Sequence, residues 1–303
     1  MSTTNLIGRA LLQKNVKLPD APTNYLNAFR DAGVASCYII TMSGRSGSTW
    51  LASALKQIPG AGHPIEYFSE EGIAYYGDFS SEQSLGSHLK YVASKYASNG
   101  RFGFKINPDR LKWLSEYVDI SLTFPQDFCS WIDMRRWNIV KQAFSFARAK
   151  KTGKWHSFSS EESTQAASEG SNVEVSDSDV WKEILSILRQ ERNIKEFYRD
   201  RNISPLVIFY EEIFDSKRQL LLKVLHQIKA PVHDIKLLDH VLDGTRKFSH
   251  DEALERAEDY FQFTYADLVS HIFTLRETMD LNVFRARVQQ RLRPALPTSS
   301  SAP

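Results

Sequence analysis

The chain has 303 residues, 42% of them hydrophobic, and a formal net charge of +2. That size and apolar content suit one sizeable α/β domain, or one with embellishments, and argue against disorder as the default. Positive and negative side chains nearly balance and no long basic run occurs, which argues against a dedicated nucleic-acid binder and makes any anion site a local one. The start, "MSTTNLIGRALLQKNVKLPDAP", has no apolar core of signal-peptide length, and no later window approaches a membrane span, so a cytoplasmic protein is expected.

Residues 1–35 read as an N-terminal helical extension, 36–288 as the main domain and 289–303 as a disordered tail. "ASCYIITM" is a continuous apolar run suited to a central parallel strand, and similar runs recur in "RFGFKI", "CSWIDM" and "SPLVIFY". Helical periodicity is expected over 49–57, 138–151, 178–201 and 215–228. Asp177 or Ser178 would cap the third of these helices, and Ser216 or Asp215 the fourth. This alternation predicts an α/β fold with a P-loop-like parallel β-sheet flanked by helices. Residues 157–179 are polar, acidic and poor in aromatics, so they read as a long mobile loop, placed where a lid would be. Cys37 and Cys129 sit in apolar strand runs and read as small buried hydrophobes rather than a disulfide or a metal pair.

The stretch "TMSGRSGSTW" follows the first strand and opens a helix. Backbone amides of such a loop and the first helical turn point at one spot, where the helix dipole favours negative charge. Gly44 and Gly47 let the backbone approach an anion, while Ser46, Ser48 and Thr49 add hydroxyl donors and Arg45 a fixed positive charge. The nucleotide-hydrolase pattern would require glycine at Met42 and lysine at Ser48. Both are missing, as is an obvious strand-end aspartate paired with a loop hydroxyl for magnesium, so a loop built for γ-phosphoryl transfer is not expected.

"GRSGSTWL" resembles the 5′-phosphosulfate loop of sulfotransferases that use 3′-phosphoadenosine 5′-phosphosulfate (PAPS). Together with "GHPIEYF" it is most similar to the bacterial Stf0 and NodH-like carbohydrate sulfotransferases, which act on trehalose, lipopolysaccharide or Nod factors. The resemblance implies that Gly44, Arg45, Ser46, Gly47, Ser48 and Thr49 grip the donor's 5′-phosphate. It also implies that sulfonate passes to a hydroxyl of a carbohydrate or other small metabolite without a metal, and that a homodimer forms, as in relatives.

Such a transfer needs a base near the loop. "GAGHPIEYFSEE" offers His63, whose unperturbed pKa is near neutral, and Glu66. The family resemblance assigns the base to Glu66; Tyr67 and Phe68, beside it, are candidate acceptor contacts. "FGFKI" matches a family segment in which lysine closes a strand beside the donor, which implies that Lys105 contacts the sulfonate or the acceptor. In "CSWIDMRRWNIVKQAFSF", Arg136 and Ser145 are spaced like the arginine and serine that hold the donor's 3′-phosphate in relatives, and Arg135 is the adjacent alternative. An arginine fork suits a phosphate and a hydroxyl supplements it. "TGKWH" resembles the family's ending near the acceptor site, so Trp155 would offer a flat surface to a sugar. "PLVIFYEEI" matches the family's late strand, with Tyr210 and Glu211 read as architectural. Arg246 and Lys247 lie where relatives bring a segment over the adenine and 3′-phosphate. Two other classes compete with this reading: a P-loop kinase, marked by magnesium dependence and use of ATP, and a nucleotide-binding protein without turnover.

Overall fold

The computed structural model describes residues 17–69, 72–73, 84–153, 174–231, 235–244, 252–278 and 281–292. Helix α1 (Leu26–Asp31) precedes strand β1 (Ser36–Met42), which leads through the loop into α2 (Ser48–Lys56). There follow α3 (Leu85–Tyr96), β2 (Arg101–Ile106), α4 (Pro108–Tyr117), the single turn α5 (Ile120–Thr123) and β3 (Cys129–Arg135). Next come α6 (Ile139–Thr152), α7 (Asp177–Asp200), β4 (Leu206–Phe209), α8 (Glu212–Gln227) and α9 (Ile235–Gly244). The last elements are α10 (Glu252–Thr264), α11 (Ala266–Val269), α12 (His271–Thr278) and α13 (Leu281–Leu292).

Each of the four apolar runs forms a strand, and all pair in parallel in the order β2-β1-β3-β4. The chain leaves β1 towards β2 and leaves β3 towards β4, so the order reverses between β1 and β3. A crevice therefore opens at the carboxyl ends of these two strands, where ligands of open α/β sheets bind. Both the loop after Met42 and Arg136 stand there, because Met42 pairs with Met134 in register.

The chain divides into two compact units, residues 1–137 with 193–248 and residues 138–192 with 249–303. In the first, successive β1 side chains face opposite sides of the sheet, as strand geometry requires. Ile39 joins an aromatic layer with Phe29, Phe102, Phe104, Trp131 and Tyr198, so residues before the sheet are built into its core. Tyr38 and Ile40 join the other layer, with Leu51, Leu55, Ile132 and Val224. Arg101, at the start of β2, donates to the carbonyls of Gly60, Ile228 and Lys229, which ties the ends of α2 and α8 to that edge of the sheet. In the second unit, Phe144, Trp181, Phe261, Tyr265 and Phe284 form a separate helical core.

Several boundaries have local causes. Asn138 caps α6 by accepting the Lys141 N–H, and Gly153 ends it with the left-handed φ of 68° expected of a helix-closing glycine. Helix α7 starts at Asp177, so that its cap is Ser176, one residue ahead of the expected caps. The Ser176 hydroxyl accepts the Asp179 N–H and Asp179 accepts the Ser176 N–H, so a reciprocal box fixes the start and Asp177–Asp179 are helical rather than loop. Helix α8 begins at Glu212 instead of Asp215, since the Glu212 carboxylate accepts the Phe209 N–H at 2.8 Å and turns the strand end directly into helix. The expected start survives as a kink at Ser216 (φ −161°, ψ 77°). Cys37 and Cys129 oppose each other across β1 and β3 as free, buried thiols, and burial pushes the Cys129 thiol well up. Among the described residues no helix is long and apolar enough to cross a membrane.

Candidate active site

The loop after β1 has an alternation that sequence reading only half anticipated. Gly47 is left-handed at φ 89°, and so is Arg45 at φ 63°, a conformation that is strained for a side chain with a Cβ. Backbone alternating in this way turns successive N–H groups into a concavity suited to an anion. Gly47 is also sterically required: a Cβ there would lie 2.1 Å from Cδ2 of Tyr210. The Ser46 hydroxyl is fully buried and has no hydrogen-bond partner among the described residues. Leaving such a hydroxyl unpaired costs about 1–3 kcal/mol, and an anion oxygen in the loop would satisfy it. Ser48 is turned the other way, towards Sδ of Met42, whereas the Thr49 hydroxyl accepts from Nζ of Lys105 at 3.3 Å.

Tyr210 links this loop to the end of β3. Its ring lies against Gly47 on one side and carries the Arg136 guanidinium 4.7 Å from its centroid. Burial lowers the pKa of Arg45, the neighbouring Arg136 lowers it further, and Tyr210 opposes the shift. Two cations that repel each other at a glycine-rich turn are stabilised when an anion binds between them. Glu211 compensates in part: its carboxylate stands 3.7 Å from Nε of Arg136 and accepts the Trp137 N–H at 2.8 Å.

Arg135 is used differently. It pairs with Asp133 at 2.8 and 2.5 Å, and Asp133 is buried beside Thr41, whose hydroxyl meets that of Tyr198 at 2.5 Å. Asp133, inside β3, thus lies in a structural ion pair.

On the other side of the loop, residues 63–66 run along the edge of β2. Ile65 bridges to Phe104, and its carbonyl accepts the Lys105 N–H at 3.0 Å. This sets Glu66 beside the end of the strand. Its Oε1 is 3.4 Å from Nζ of Lys105, and its Oε2 accepts from Nη1 of Arg110 at 2.7 Å. Lys105 is buried and bridges Thr49 to Glu66, so it is no solvent-reaching lysine. His63 is set apart: its ring meets the edge of Tyr96, and burial, with Lys56 second, holds its pKa down at about 4. Lys56 ends α2 while Thr49 lies in its first turn, roughly 10 Å away along the axis.

A family model described as Stf0 sulphotransferase matches residues 37–262, well over half of the chain. The chain belongs to the Stf0 sulphotransferase family. It is therefore an enzyme of sulfonate transfer. No curated protein matches it. Among solved structures it is similar to that of a mouse sulfotransferase, SULT7A1, complexed with PAP, at 20% identity and a TM-score of 0.40, over 75% of this chain and 71% of that one.

The remaining expectations sort by position. Tyr67 and Phe68, expected to meet the acceptor, are 0% and 1% exposed in the aromatic layer, where Tyr67 stacks on Phe102 and Tyr96 and donates to the His63 carbonyl. Aromatic packing accounts for the burial of both residues, and they anchor the segment that carries Glu66. Ser145 lies on α6, in the second unit. Trp155, Arg246 and Lys247, and residues 157–173 of the expected loop, lie outside the described residues. No group of three or more His, Cys, Asp or Glu among the described residues is placed to hold a metal ion. Sequence reading missed Arg110, although "NPDR" after a strand carried the signal: Asn caps, Pro starts a helix, and the arginine falls in its first turn.

Proposed function

We propose that this Stf0-family enzyme moves the sulfonate of PAPS to a hydroxyl of a carbohydrate or another small-molecule metabolite. The observation that carries the reading is the meeting, at the carboxyl ends of β1 and β3, of the unpaired Ser46 hydroxyl with two mutually repelling arginines, Arg45 and Arg136. These residues fit a nucleotide with more than one anionic group. Arg45, the Ser46 hydroxyl and the loop amides hold the 5′-phosphate side, and Arg136 on its Tyr210 shelf holds the 3′-phosphate. Ser145 is assigned to the 3′-phosphate, and Ser48 to the 5′-phosphate, on the family resemblance alone.

The reaction then needs little further machinery. Glu66 takes the proton of the acceptor hydroxyl as its oxygen bonds to sulfur. Arg45 and the loop amides take up negative charge on the bridging oxygen as the bond from sulfur to the 5′-phosphate breaks. Lys105, between Thr49 and Glu66, lies beside the path of the sulfonate. No step calls for a metal.

Calorimetric binding of 3′,5′-adenosine bisphosphate, compared with 5′-AMP and with ATP plus magnesium, tests the donor site. The bisphosphate is expected to bind most tightly without metal, and Arg136→Ala to weaken it about 10–100-fold, the value of a hydrogen bond to a charged group. A preference for ATP with magnesium would move the reading to a kinase. Tight bisphosphate binding with no sulfonate transfer to any of a panel of sugars and alcohols would leave a nucleotide-binding protein without turnover.

A further inference from the structure

The carboxylate of Glu66 is gripped unevenly. Oε2 receives a short bond from Arg110, 2.7 Å, while Oε1 faces Lys105 across a looser 3.4 Å. Arg110 itself is held from behind. It stands in the first turn of α4, where the Asn107 side chain accepts its backbone N–H at 2.9 Å and Pro108 locks the first helical residue. The backbone leading to Glu66 is held as well, through the bond from the Lys105 N–H to the Ile65 carbonyl. Both ends of the Arg110–Glu66 contact are therefore anchored to the frame of β2.

We infer that Arg110 is the positioning residue for Glu66: by occupying Oε2 it keeps Oε1 turned towards the loop as the oxygen that accepts the proton. The inference rests on the reading of Glu66 as the base. The Arg110 guanidinium bonds to the carboxylate, and Arg110 acts through that group. Its physical role follows from the neighbouring cation. Without Arg110 the carboxylate is free to rotate and close on Lys105 with both oxygens. One movement would then occupy the base and draw the lysine away from the sulfonate path. A misplacement of about 1 Å at a reacting group is enough to lower turnover about 10²-fold.

The test compares Arg110→Ala, Arg110→Lys and Glu66→Gln with the wild type. Release of labelled sulfonate from PAPS is followed with trehalose as the sugar probe and with water alone, and crystals of each protein are grown with 3′,5′-adenosine bisphosphate. Arg110→Ala should lower kcat about 10²-fold with KM for PAPS and bisphosphate affinity little changed. Added guanidinium should restore part of that loss in Arg110→Ala and none in Glu66→Gln. Arg110→Lys should fall between, since an ammonium keeps the charge but loses the planar fork. In crystals of Arg110→Ala the Glu66 carboxylate should leave its wild-type position for Lys105. A Glu66 side chain that stays in its single wild-type conformer overturns the inference whatever the kinetics, as does a wild-type kcat in Arg110→Ala when Glu66→Gln is inactive. Wild-type kcat in Glu66→Gln removes the base reading instead, so the two failures are distinguishable.

Discussion

Glu66 and Arg136 stand at the carboxyl edge of the sheet beside the loop, whereas His63 and Arg135, their near neighbours in sequence, belong to the packed region away from it. The residue types in each pair are chemically interchangeable for the proposed reaction, a proton acceptor in one and a phosphate-binding guanidinium in the other. What separates them is register. Ile65 bridges to Phe104, which carries Glu66 to the end of β2 and leaves His63 lower down beside Tyr96 and Lys56. The last pairing of β3 with β4 sets Arg135 opposite Phe209 with its guanidinium on Asp133, and the next residue is released onto Tyr210. A shift of one to three positions along an extended chain thus decides between chemistry and packing.

The largest expected effect that would break this contrast is on the base. Glu66→Gln should lower kcat about 10²–10⁴-fold, the usual contribution of a general base, with bisphosphate affinity nearly unchanged; His63→Gln should retain most of the turnover. Steady-state rates for both variants check the pair, and the reverse pattern would make His63 the base.

Next in size is the division of labour between the arginines. Arg135→Ala leaves the carboxylate of Asp133 buried without its partner, which costs about 3–5 kcal/mol for a broken buried pair. Urea unfolding should register that loss, while the folded variant keeps its affinity for 3′,5′-adenosine bisphosphate. Arg136→Ala should do the opposite, losing affinity and little stability. Equal effects of the two variants on affinity would mean that the ion pair with Asp133 does not withhold Arg135 from the donor.

The smallest effect concerns His63 and acid. Its folded pKa of about 4 lies below the ordinary 6.5, because burial and then Lys56 disfavour the imidazolium. The unfolded chain therefore binds a proton that the folded one refuses between those values, and stability present above pH 6.5 is lost as the pH falls towards 4. The ring is only half-buried, so the slope should be shallow. Thermal unfolding at pH 7 and pH 5 should show a smaller drop for His63→Asn than for the wild type, and an equal drop would place the acid sensitivity elsewhere.

Much of the frame was legible locally. The four apolar runs are the four strands, and Gly153 and Asn138 stand where a helix end and start are expected, because burial pattern and capping chemistry act over a few residues. The loop was legible for the same reason, except for the left-handed backbone of Arg45. A conspicuous aromatic pair such as Tyr67 and Phe68 beside a proposed base looks alike in sequence whether it faces a ligand or the core; in the fold Tyr67 stacks on Phe102 and Phe68 meets Phe104 edge to face.

By itself the sequence determined a parallel α/β sheet, a phosphate-type loop after its first strand and a set of polar residues for sulfonate chemistry, since these depend on periodicity, glycine placement and side-chain type. The tertiary structure decided which of those residues meet. Tyr210 reaches back to cover Gly47 and seat Arg136, and Arg110 arrives from α4 to hold Glu66, contacts between segments distant in sequence that no local pattern encodes. The physical reason is that strand register and helix packing place side chains to within an ångström, and that is the scale on which a proton acceptor or a phosphate cradle works.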